Sequence, residues 1–130
     1  MKLFSPRIMV YLWMAGFVGS FFIQTILQSW FAQNSFWGAN FGWQNEIAIW
    51  NMGMFFVVLG ILRAGMNLER HVLFGLFVLS ACFGINHGIA LLSSPHSLSN
   101  WMGFSLNMFG VVVYFGYLFV EKKSVQRSNI

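Results

Sequence analysis

"WQNEIAIWNMGMFFVVLGILRA", residues 43–64, decides the fold. Its charged side chains are Glu46 near the start and Arg63 near the end, and most of what lies between is apolar. A helix of about 20 apolar residues, rising 1.5 Å per residue, crosses the hydrocarbon core of a bilayer. The stretch therefore reads as a transmembrane helix.

Working outward, three more stretches have the same character: about Ile8 to Phe31, His71 to Leu92, and Leu98 to Val120. The connections carry ordinary breakers. Residues 33–42 hold glycines and asparagines, 64–70 form a tight turn with Asn67 as a helix N-cap, and 93–97 read Ser-Ser-Pro-His-Ser. The chain is expected to be an all-α membrane protein, one four-transmembrane-helix bundle over residues 1–130. Lys2 and Arg7 make a basic start. The apolar run after them exceeds the roughly 7–15 residues of a signal-peptide core, so the first span is expected to be retained.

Composition agrees. Of 130 residues, 58% are hydrophobic and 8% charged, with mean hydropathy +0.68; soluble domains carry roughly 25% charged residues. The net charge of +4 does not mark a nucleic-acid binder, because the seven basic residues sit at segment ends and form no stripe. Lys2, Arg7, Arg63, Arg70, Lys122, Lys123 and Arg127 all fall at one end of the bundle, and the first and third connections have none. The positive-inside rule makes that end cytoplasmic, with both termini inside. Trp30, Phe31, Trp37, Trp43 and Trp101 then form an aromatic belt at the outer interface. The single Cys82 excludes an internal disulfide and a C-x-x-C motif and is expected to be a buried packing residue.

On this orientation the polar residues gather in the outer half. Glu46 and Gln28 lie about 5 Å below the outer surface, His87 about 8 Å, and Gln24, Asn51, Asn86 and Asn107 roughly 9–12 Å. Helical phase groups Glu46, Trp50, Gly53, Val57, Gly60 and Ala64 on one stripe, and Asn100, Gly103, Asn107, Gly110, Tyr114 and Tyr117 on another. Phe77, Ser80, Gly84, His87 and Leu91 make a third, and Gly16, Ser20, Gln24 and Gln28 a fourth. Small residues mark close helix contacts in membranes, so these stripes are expected to face the interior. Asn51 stands about 140° round the helix from Glu46.

The expectation is an outward-facing polar pocket in an aromatic bundle, lined by Gln24, Gln28, Gln44, Glu46, Trp50, Asn51, Asn86, His87 and Asn107. Such a pocket suits an apolar molecule with a polar head, a quinone, isoprenoid or lipid. An alternative is a small membrane enzyme in which Glu46 and His87 are the catalytic acid/base pair. A second alternative, a proton-coupled transporter, wants an acid near the midplane and a polar inner path. No spacing supports a metal site, no cofactor is indicated, and membrane lipids, a membrane-protein partner or a second copy are the partners to consider.

The run W-Q-x-E-I-x-x-x-N-x-G at 43–53, followed by G-x-N-H-G at 84–88, resembles the DoxX-like group of small four-helix bacterial membrane proteins. The resemblance covers spans two and three. It implies a multi-pass protein of the bacterial inner membrane, with an accessory role near quinone chemistry.

Overall fold

The computed structural model describes residues 6–63 and 69–128. They form five helices: α1 (Pro6–Thr25), α2 (Gln28–Gln33), α3 (Phe41–Arg63), α4 (Glu69–Ser93) and α5 (Leu98–Ser128). No strand occurs among the described residues. Segments Arg7–Thr25, Phe41–Arg63, His71–Ser93 and Leu98–Phe119 are long and apolar enough to cross a membrane. The protein is a four-span all-α bundle with one short extra helix. Asn67 lies outside the described residues.

The spans are apolar nearly all round, and the fold leaves much of that surface uncovered. Ile26, Ile49, Phe56, Leu92, Leu106 and Val112 each expose more than half of their surface. Water would not tolerate so continuous an apolar girdle, but hydrocarbon is the medium it matches.

Two helix pairs make the bundle. The interface of α4 with α5 is the most extensive and that of α1 with α3 is next, while α1 also bridges to α4 and α3 barely touches α4. We call the end bearing α2 and the 94–97 turn the loop end, and the opposite one the termini end. The apolar core lies toward the termini end, where Met9, Val10, Met14, Val58, Leu73, Val113 and Tyr117 are buried together. Beside it, Phe77 stacks on Tyr114 with ring centroids 4.6 Å apart. Nearer mid-span, Trp13 Nε1 donates to Ser80 Oγ at 2.9 Å, tying α1 to α4. Polar contacts concentrate toward the loop end, in line with the segregation read from the sequence.

Three local expectations change. The first span does not run unbroken to Phe31: α1 stops at Thr25 and α2 begins at Gln28. Thr25 Oγ1 donates back to Phe21 O at 2.8 Å, and the amides of Ile26 and Leu27 both reach Phe22 O, so the regular ladder ends there. Second, the α3 stripe of Glu46, Trp50, Gly53, Val57 and Gly60 faces outward, and Ala64 lies outside the described residues. The packed face of α3 instead carries buried Gln44, Ala48 and Val58. Amide side chains demand partners inside hydrocarbon and glycines do not, so Gln44 and Asn51 set the phase of α3. Third, Cys82 is exposed on α4 and packs in no core.

Candidate functional site

The start of α5 builds the tightest part of the loop end. Ser97 is the N-cap: its Oγ accepts the Asn100 amide at 3.3 Å. The same hydroxyl donates to Asn34 O at 2.6 Å. Ser99 gives its amide to Asn34 O and its hydroxyl to Phe31 O, both at 3.2 Å. The carbonyls of Phe31 and Asn34 at the close of α2 thus accept from Ser97 and Ser99 at the opening of α5, and the two helix ends are tied together. Ser97, Ser99 and Asn100 are all buried, Asn100 completely.

Beside this junction sits His87 of α4. Its Nδ1 lies 3.1 Å from Asn100 Oδ1. The Trp37 ring, from the loop after α2, is centred 5.1 Å from the imidazole. The imidazole also lies directly against Gly103, where any Cβ would collide with it. Gly103 is therefore the residue that lets α5 approach the ring so closely. Asn100 keeps one polar atom, Nδ2, buried and without a hydrogen-bond partner. A buried donor left unmade costs about 1–3 kcal/mol, so this atom asks for a partner.

A second polar group forms the seam of α1, α2 and α3. Gln44 Nε2 donates to Gln28 O at 3.3 Å, and Gln28 Nε2 to Asn45 Oδ1 at 2.6 Å. Asn51 Nδ2 bridges Ser20 Oγ at 3.0 Å and Ile47 O at 2.8 Å. Gln24 and Gln44 are buried, each with an unpartnered Oε1.

The nominated residues are thereby divided. Gln28, Gln44 and Asn51 gather at the seam of α3 with α1 and α2, Gln24 is buried on α1, and His87 joins α5. Asn107 donates to Gly103 O, one turn back on its own helix, at 2.7 Å. Glu46, Trp50 and Asn86 are exposed. Glu46 forms no hydrogen bond or ion pair among the described residues, so it and His87 are not a bonded pair. The described residues hold no group of three or more metal-ligating His, Cys, Asp or Glu side chains. Surface depressions of about 360 and 300 Å³ lie at Trp101–Leu106 on α5 and between α2 and Phe41. Neither is lined by a nominated residue.

Asn100, Trp37 and Ser97 lie outside the pocket lining expected from the sequence. A signal was available: Asn100 opens the α5 stripe, and Ser97 stands where a cap belongs. The tryptophans of the belt also divide. Trp30, Trp43 and Trp101 are exposed near the loop end, while Trp37 turns onto the imidazole.

No protein-family model matches this chain, and neither a curated protein nor a solved structure is significantly similar to it.

Proposed function

We propose that this membrane protein binds an amphiphile, with the polar head at the His87–Asn100 pair and the apolar body in the surrounding bilayer and aromatic side chains. One observation carries the reading: Asn100 is fully buried, bonded to His87, and still has an amide hydrogen unused. Trp37 covers the imidazole from a loop, the kind of segment that moves to admit a ligand. The one-sided distribution of Lys and Arg supports an outward position for this end. The resemblance to DoxX-like proteins supports a bacterial inner-membrane location and an accessory role. A packed apolar core toward the termini end argues for holding a ligand over conducting protons through the bundle.

Purification in native-lipid particles followed by mass spectrometry tests the reading. The wild-type protein should retain an amphiphile in stoichiometric amount, and His87→Phe should lose it. Glu46→Gln should retain it, because Glu46 is exposed and makes no bond to the pair. Identical lipid profiles for wild type and His87→Phe would reduce the loop end to a purely structural role.

A further inference from the structure

Asn86 of α4 stands apart from the other asparagines of the spans. Asn45, Asn51, Asn100 and Asn107 each have a hydrogen-bond partner in the bundle. Asn86 is exposed and has none among the described residues. It lies two turns, about 10 Å, inside the span that ends at Ser93. Its side chain is too short to reach the headgroup layer from there, and hydrocarbon offers it neither donor nor acceptor.

The surface around it has the form of a helix contact. Gly75, Leu79, Cys82, Asn86, Ile89 and Ser93 follow steps of four and three, within about 40° of one line down the helix. That line runs opposite Leu73, Ser80 and Gly84, which face the bundle. All but Leu79 are exposed, and a Cβ at Gly75 would meet open space. The small side chains at Gly75, Cys82 and Ser93 let a second helix approach closely.

The amide decides what covers this face. It both gives and accepts hydrogen bonds, so it is complementary to a copy of itself. A two-fold contact sets a residue on the axis against its own mate, and copies inserted in the same sense carry the amide at the same depth. One N–H of each Asn86 then meets the oxygen of the other. A single asparagine on a heptad seam fixes register in this way. The rest of the stripe is uncharged, so nothing on it repels a mate. The outward stripe of α3 fails that test, because a two-fold contact there sets one Glu46 carboxylate against another.

We infer that the outward face of α4 is a self-association surface, covered by α4 of a second copy of this chain through an Asn86–Asn86 amide pair. The pairing stands independently of the ligand reading above.

Cross-linking in native membranes tests it. In a Cys82→Ser background, Ser93→Cys places a thiol on the seam, and Phe41→Cys places one on exposed α3. Iodine, a membrane-permeant oxidant, should join two Ser93→Cys chains by a disulfide and leave Phe41→Cys monomeric. Adding Asn86→Leu should sharply reduce that dimer, and Asn86→Gln, which keeps the amide, should retain it. Energy transfer between labelled chains in liposomes should show the dimer dissociation constant rising about tenfold in Asn86→Leu, as loss of an interhelical amide pair predicts. Thermal unfolding of Asn86→Leu in detergent should match wild type; a lower midpoint would mean that Asn86 packs inside the bundle and would overturn the inference. Equal cross-linking at the two cysteine positions, or a dissociation constant unchanged by Asn86→Leu, would overturn it as well. So would a Ser93→Cys product whose mass is not that of two chains, which would identify a different membrane protein as the occupant.

Discussion

At the scale of single residues, two positions make opposite predictions. Gly103 lies directly against the His87 imidazole, and an added methyl would enter space the ring occupies. Gly103→Ala should therefore destabilise the bundle by about 1–3 kcal/mol, the range for overpacking. It should also displace His87 from Asn100. Thermal unfolding in detergent measures the first effect, and loss of the co-purified amphiphile reports the second. Gly53, on the outward face of α3, has open space where its Cβ would stand. Gly53→Ala should be neutral or slightly stabilising, by as much as about 1 kcal/mol from helix propensity. Equal effects at the two glycines would contradict the packing described. Glu46→Gln belongs with the second group: an exposed carboxylate with no partner among the described residues should change stability by less than about 0.5 kcal/mol.

At the scale of elements, the junction between α2 and α5 is the feature most open to test. Ser97 both caps α5 and donates to the carbonyl of Asn34, the C-cap of α2. Ser97→Ala removes both, and loss of an N-cap alone costs about 1 kcal/mol. Hydrogen exchange should accelerate at the amides of α2 and of residues 34–40, and at the first turn of α5. Exchange in α3 beyond Val58 should not change; acceleration there would mean that the whole bundle, and not the junction, had loosened. The same elements show what could be read from the sequence. All four spans were legible because hydrocarbon imposes one rule, apolar length, that needs no knowledge of neighbours. The phases of α4 and α5 were legible too, since Ser80, Gly84 and Asn100 are buried where their stripes required. The phase of α3 was not. Its glycines suggested one packed face and its amides another, and only the position of α1, with Ser20 in reach of Asn51, decides between them. Glu46 drew attention as the rarest residue type in a span. Asn100 passed as an ordinary amide, because a buried orphan atom exists only once the tertiary contacts do.

At the scale of the molecule, the two ends differ in kind, and that difference predicts how the protein sits in its membrane. The loop end carries the α2–α5 junction, exposed tryptophans, and connections 33–42 and 93–97 free of Lys and Arg. In the sequence, all seven basic residues precede the first span, join the second to the third, or follow the fourth. Short basic segments next to spans resist translocation, so a seven-to-none division predicts a single orientation, with both termini on the cytoplasmic side. Cysteine accessibility in intact cells tests this directly. With Cys82 replaced by serine, a cysteine at Ala39 should react with a membrane-impermeant maleimide added outside. One at Ser124 should react only after the cells are opened. Labelling of both positions from outside would mean two orientations in one population, and the His87–Asn100 pair would then face both sides of the membrane. Labelling of Ala39 alone would place that pair near the outer surface, where an amphiphile in the outer leaflet reaches it without crossing the apolar core toward the termini end.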